Sequence, residues 1–178
     1  TLRGTPTLYY GDELGMQNVA IPPERVQDPF ERRVPGMGHG RDPVRTPMQW
    51  SAAAQAGFTT GTPWLPLSPD CATRNVEAQR ADPKSLLSLY RRLIARRRGD
   101  LQIGRQELLV TEGDVLAYRR GDSFLVALNL GAEPQRLALA LNGTVALSTR
   151  LEREHERVRE SLELSPHEGL IVRLADGD

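Results

Sequence analysis

The sequence predicts an α+β chain whose irregular first part ends in one helix and gives way to an antiparallel β-sandwich. Three observations carry this reading. Residues 17–80 are rich in proline and glycine and show little periodicity, residues 83–98 hold one apolar stripe at helical spacing, and from Gln106 the period drops to two. The 178 residues have room for one ordinary domain or one and a half small ones.

Along the chain, Pro6–Tyr10 is a short apolar, β-prone run opened by Gly4 and closed by Gly11, and reads as a buried strand. A lone buried strand leaves its backbone donors and acceptors unpaired, so it needs partners that the nearby sequence does not supply. Residues 17–80 follow as a long connection, and connections of that length usually carry function. The helix then opens with Asp82 as the expected N-cap and Pro83 at the first helical position. Leu86, Leu89, Tyr90, Leu93 and Ile94 form its stripe, and Gly99 ends it. Arg96, Arg97 and Arg98 complement the helix dipole as a solvated last turn, which accounts for them better than a nucleic-acid patch does.

Seven strands are expected: Glu107–Thr111, Asp114–Arg120, Ser123–Leu130, Gln135–Leu141, Thr144–Ser148, Ser161–Leu164 and Leu170–Leu174. Gly121-Asp122 and Asn142-Gly143 read as hairpin turns, and Leu137, Leu139 and Leu141 alternate as in a half-buried strand. The charged run Glu152–Glu160 reads as a solvated loop or hairpin tip. Strands this short and this closely spaced suggest a small sandwich. Asn142-Gly143-Thr144 also matches a glycosylation acceptor, but the turn accounts for it.

Composition excludes several function classes. A hydrophobic share of 39% with 26% charged residues suits a soluble globular protein. Lys+Arg and Asp+Glu are each 23, so no charge excess points to nucleic acid or an anionic membrane, and a neutral sugar would need none. Cys71 is the single cysteine, which rules out an intrachain disulfide and cysteine metal ligation and fits a reducing, cytoplasmic setting. No run approaches the roughly 18 apolar residues of a membrane span. The chain opens on Thr1 rather than Met, almost at once enters a strand pattern, and reads as one that has lost its beginning.

The most informative segment is Arg41-Asp42-Pro43-Val44-Arg45-Thr46-Pro47-Met48-Gln49-Trp50. Arginine offers a rigid, permanently charged fork for carboxylates, phosphates and vicinal hydroxyls. Pro43 and Pro47 fix φ and push Asp42 and Thr46 away from helix, which stiffens the loop. On its own the segment could equally be surface ion pairs with Trp50 as a core anchor. Its neighbours are GTPTLYYGDELGM (Gly4–Met16), AGFTTGTPW (Ala56–Trp64) and NVEAQRADPKSLLSLYRRLIARRR (Asn75–Arg98). In that order, with GRDPVRTPMQW between, they resemble the C-terminal part of glycoside hydrolase family 13, the α-amylase superfamily, particularly its bacterial α-glucosidase and oligo-1,6-glucosidase branch.

The resemblance implies that residues 1–101 are the C-terminal remnant of a (β/α)8 TIM barrel: strand eight, a long substrate-side loop and the last helix. A full barrel takes roughly 250 residues. Residues 102–178 would be the C-terminal β-sandwich domain. The implied parent is a retaining α-glucosidase acting on terminal α-glucosidic bonds of short oligosaccharides of the maltose or isomaltose type, with no cofactor, metal, nucleic acid or membrane. Trehalose synthase or a sucrose isomerase is the alternative parent, and a sugar-binding β-module is a further one. Of the substrate-binding residues, Arg41, with Arg45 as the alternative, is expected to clamp the hydroxyls of the terminal glucose, and Arg45 and Asp42 to brace the loop through ion pairs. Trp50 and Trp64 resemble structural aromatics of that region, with sugar stacking as the other role.

The family's three catalytic acids follow strands four, five and seven, so none falls on this sequence and the chain alone is expected to be inactive. Asp12 and Glu13 do not replace them. Adjacent residues leaving a strand point to opposite sides, whereas a glycosidase needs two carboxyls facing one bond across roughly 5 to 9.5 Å. They read as charge at the start of a helix or as barrel-wall packing. His39 is a candidate pocket residue, and His155 and His167 read as surface.

Overall fold

The computed structural model describes residues 1–101, 104–110 and 113–175, with the backbone alone for 139–141. The last residue of the first predicted strand, Thr111, and the side chains of Leu139 and Leu141 fall outside that set. The start of the second domain at residue 102 does so too. Contacts gather the chain into two units, Pro6–Tyr90 and Thr1–Thr5 with Arg91–Asp178.

In the first unit the Pro6–Tyr10 run is not a strand. No segment of the described residues pairs with it, and Leu8, Tyr9 and Tyr10 are exposed. A strand exists only as part of a ladder, so β-prone residues without a partner stay extended and solvated. The connection after it is better organised than its composition suggests. Helix α1, Pro29–Arg33, is capped by Asp28, whose carboxylate accepts the Phe30 N–H at 2.8 Å. Helix α2, Val76–Ala81, is capped by Asn75, which accepts the Ala78 N–H at 2.9 Å.

Helix α3 spans Leu86–Arg98, not 83–98. Asp82 closes α2 through its N–H to the Gln79 carbonyl, and its carboxylate accepts the Lys84 N–H in a local turn. The residue that caps α3 is Ser85, whose hydroxyl accepts the Ser88 N–H at 3.1 Å. Of the predicted stripe only Leu89 is fully buried. Arg97 donates to the carbonyls of Leu2 and Gly4, and Arg96 pairs with Asp100 at 2.7 Å, so the last turn of α3 is bonded as well as solvated.

The other unit is built on one six-stranded antiparallel sheet: β1 (Gln106–Val110), β2 (Val115–Arg120), β3 (Phe124–Asn129), β4 (Gln135–Ser148), β5 (Arg157–Leu164) and β6 (Gly169–Leu174). Their spatial order is β1-β2-β3-β6-β4-β5, with every neighbour hydrogen-bonded. The antiparallel β-domain is therefore present. Instead of two separately paired sheets, one sheet curls about a core that includes Val115, Leu125, Leu137, Leu162 and Leu170.

The curl depends on β4, which the sequence split in two. Asn142-Gly143 is not a turn. Asn142 pairs with Arg159 on β5, and Gly143 pairs with Val158 on β5 and Leu174 on β6. The first part of β4 therefore follows β5 and the rest follows β6, with irregularities between Ala138 and Asn142 and between Val145 and Leu147. Glycine is required for closeness here: a Cβ on Gly143 would stand 2.4 Å from the Arg173 carbonyl oxygen. The Gly121 signal is a true hairpin, with Arg120 opposite Phe124 and Gly121 at φ 58.

The charged run also changes character. Only its first residues are a loop, since β5 begins at Arg157. Within the loop Arg153 grips both Glu156 oxygens at 2.7 Å and the buried Glu168 at 2.9 Å. Hydrogen bonding to Arg153 holds Glu156 below the usual carboxylate range.

Candidate functional site

The Arg41–Trp50 segment folds as a single 3-10 turn, Asp42–Val44, followed by an extended stretch. Proline inside the turn and again at Pro47 leaves few backbone donors, so side chains fix its position. Asp42 is 4% exposed, and its carboxylate accepts the N–H groups of Gln27 at 2.6 Å and Asp28 at 2.8 Å. Asp42 thus braces the loop through backbone amides, not through the ion pair expected from sequence.

Arg41 is the residue that makes an ion pair. Its Nε and its backbone N–H both donate to Asp28 Oδ2, at 3.3 and 3.2 Å. The Asp28 side chain is 1% exposed and that of Arg41 is 65% exposed. The amide of Phe30, more than Arg41 itself, holds the Asp28 carboxyl below its usual range. The guanidinium is thus oriented from behind at Nε while its outer fork faces solvent.

Arg45 lies at the other end of the turn. It lines a cleft of about 760 Å3 together with Tyr10, Glu13, Trp50, Phe58 and Trp64. Among the described residues the Arg45 guanidinium has no hydrogen-bond or ion-pair partner. The Tyr10 hydroxyl donates to the Thr46 carbonyl at 2.9 Å, and burial raises its pKa. Arg25 donates to the carbonyls of Pro63 and Trp64, fixing that backbone while the indole of Trp64 stays 83% exposed. A wide apolar wall with few polar groups suits a ring-shaped, hydroxylated ligand.

Behind the cleft the backbone is tied to a buried polar network. Gln49, fully buried, donates from its side-chain amide to Asp70 at 3.1 Å and to the Arg74 carbonyl, and its main-chain carbonyl accepts the Val76 N–H. Burial alone would raise the Asp70 carboxyl, but hydrogen bonds from Ser68, Arg74 and Gln49 outweigh it and hold it low.

The remaining candidates sort readily. Asp12 and Glu13 accept the amides of Tyr9 and Gly11 at 3.0 and 2.9 Å, in and beside a 3-10 turn over Asp12–Leu14. These are local capping contacts. His39 stacks edge-on against Phe30 at 5.9 Å, and His155 and His167 are exposed. Among the described residues no three His, Cys, Asp or Glu side chains gather as metal ligands, and no helix is long and apolar enough to cross a membrane. Sequence reasoning did not single out Phe58 or Tyr10. Both lie in strings that carried the family resemblance, which was their only signal.

Residues 1–105 match the family model described as alpha amylase, catalytic domain. The oligo-1,6-glucosidase of Parageobacillus thermoglucosidasius is 38% identical over 66% of the chain and 24% of its own length. A probable oligo-1,6-glucosidase of Bacillus subtilis is 34% identical over 96% of the chain and 35% of its own length. Among solved structures, a trehalulose synthase from Pseudomonas mesoacidophila superposes on 97% of the chain and 36% of itself, with TM-score 0.82 and 31% identity. The chain spans about a quarter to a third of the length of these relatives.

Proposed function

The chain belongs to the α-amylase family, and from that membership we propose that it is the closing part of an α-glucosidase-type catalytic domain, followed by its C-terminal β-domain. In this reading residues 1–101 are the end of a (β/α)8 barrel. Pro6–Tyr10 pairs as the last strand only beside the rest of the barrel and is followed by the substrate-side loop and last helix, and the antiparallel β-domain is the module after it. The enzyme removes terminal glucose from short α-linked oligosaccharides with retention, and its catalytic acids lie outside these 178 residues. Supporting this is the match of the family model to residues 1–105, which contain the cleft, together with the likeness to an oligo-1,6-glucosidase along 96% of the chain.

The observation that carries the site assignment is the Asp28–Arg41 pair, a buried carboxylate orienting a guanidinium whose outer fork is open. Arg41 grips vicinal hydroxyls of the terminal glucose, Asp42 keeps the loop in place, and Arg45 lines the aromatic cleft that receives the rest of the sugar. Arginine's planar fork suits two adjacent oxygens, and pre-orientation lowers the cost of binding.

The purified chain is expected to leave p-nitrophenyl α-glucoside intact, and hydrolysis by the chain unaided would overturn the reading. In the full-length enzyme, Arg41→Ala is expected to raise KM for maltose more than Arg45→Ala does. The likeness to trehalulose synthase favours a second reading, in which the parent isomerises sucrose. Products from maltose and sucrose separate the two: free glucose for the hydrolase, a rearranged disaccharide for the isomerase. A sugar-binding β-module is not favoured, because Tyr118 and Phe124 are both buried and offer no platform.

A further inference from the structure

The outer face of the sheet brings three arginines around one threonine. Thr144 stands opposite Arg157 on β5 and opposite Arg173 on β6, and Arg159 stands opposite Asn142. Directly opposed residues share a face, and so do residues two apart on one strand. Arg157, Arg159, Arg173 and Thr144 therefore line a single hollow of about 270 Å3, with Gly143 in its floor.

Like charges gathered on one face of a sheet repel unless something offsets them. Elsewhere on the β4–β5 ladder an opposite charge does so, with Arg136 facing Glu163 at 3.3 Å. Among the described residues no carboxylate plays that part for Arg157 and Arg159, and their guanidinium groups have no hydrogen-bond or ion-pair partner there. Arg173 is held in place by Asp100 at 3.3 Å and by the Phe124 ring, 5.2 Å from its centroid. Asp100 is already shared with Arg96. The hollow therefore concentrates positive charge in a chain whose formal net charge is zero.

We propose that this hollow binds a phosphoryl group, either as inorganic phosphate or as a sugar phosphate ester. A compact dianion with several acceptor oxygens can meet more than one guanidinium at once and also accept from the Thr144 hydroxyl. Binding would neutralise part of the positive charge that Arg157, Arg159 and Arg173 bring to the hollow. All of these residues lie within residues 91–178, so the proposal stands independently of the glucose cleft.

The test is calorimetric titration of the whole chain at low salt with inorganic phosphate, with glucose 1-phosphate, and with maltose as a neutral control. Both phosphoryl ligands are expected to bind with one site per chain, more weakly as salt rises. Arg157→Ala and Arg159→Ala should each weaken binding by roughly tenfold or more, since each removes a charge-assisted contact. Both side chains are exposed, so the variants should keep the wild-type circular dichroism, and Arg136→Ala should leave affinity unchanged. Equal affinity for the two ligands would mean that the oxyanion alone is read, and tighter binding of the ester that sugar hydroxyls add contacts; either supports the proposal. Absence of saturable phosphate and ester binding would overturn it, as would unchanged affinity in the double variant or equal affinity for maltose.

Discussion

In the β-unit, Leu125, Leu162 and Leu170 join one contiguous buried core, and its two aromatic strand residues, Tyr118 and Phe124, are buried too, outside that cluster. In residues 6–90 the apolar cluster is small, Leu14, Met48 and Val76 with Met16 and Leu87, and much of what is buried is polar: Asp28, Asp42, Thr46, Gln49, Ser68, Asn75. Tyr10, Trp50, Phe58 and Trp64 meanwhile face solvent. One region is held by burying its own hydrophobic surface. The other is held by buried side chains bonded to backbone, and keeps its aromatic surface for something else. Buried hydrogen bonds fix a loop without consuming apolar area, which is what a ligand-facing loop requires.

The sharpest way to break this comparison is to remove a core leucine from the sheet. Leu162→Ala leaves a cavity among residues from several strands and should cost about 2–5 kcal/mol, read by denaturant unfolding. Tryptophan fluorescence offers a convenient separation, because Trp50 and Trp64 both lie in residues 6–90 and so report on that unit alone. If Leu162→Ala left far-UV circular dichroism midpoints unchanged, the β-unit would not be core-stabilised.

The matching change in the loop unit is Asp42→Ala. It leaves the Gln27 and Asp28 amides unsatisfied, at about 1–3 kcal/mol, and the effect should be local. Hydrogen exchange of those two amides should lose protection while amides in β3 and β6 keep theirs. Uniform loss across both units would sink the idea that polar bracing is confined to one.

A third test uses acid. Asp28 and Asp70 both titrate below their unfolded values, so their contribution is present above the ordinary carboxylate pKa of about 4 and is lost as pH falls through the depressed values. Tryptophan emission should therefore shift below about pH 4. Asp28→Asn should flatten part of that response. A response unaltered in the variant would show that Asp28 is not one of the groups responsible.

Period-two alternation made β1, β2, β3 and β6 legible in the sequence to within about a residue or two, because those strands alternate cleanly or are bounded by turns. It failed at Asn142-Gly143, where the glycine answers to the Arg173 carbonyl next to it and not to a turn. Cap preference by residue type misplaced the start of α3. Asp82 and Ser85 are both good caps by type, and only the course of α2 decides between them. Helices α1 and α2 were hidden by the proline-rich composition around them, though Asp28-Pro29 is a cap signal in its own right. Within the site, Arg41 stood out from sequence, but its partner Asp28 is thirteen residues away and no local rule connects the two.

The smallest stability change is expected from Trp64→Ala, and it distinguishes most finely between the two regions. The indole is 83% exposed, and the backbone beneath it is held by Arg25 through main-chain carbonyls that the substitution leaves in place. Stability should therefore move by no more than about 0.5 kcal/mol. If the aromatic wall serves a sugar ring, the same variant in the full-length enzyme should raise KM for maltose several-fold with kcat little changed, because stacking acts on bound substrate and transition state alike. A large loss of stability would instead make Trp64 a structural residue, and the contrast between a self-contained sheet and an aromatic loop face held open by polar bonds would lose its clearest example.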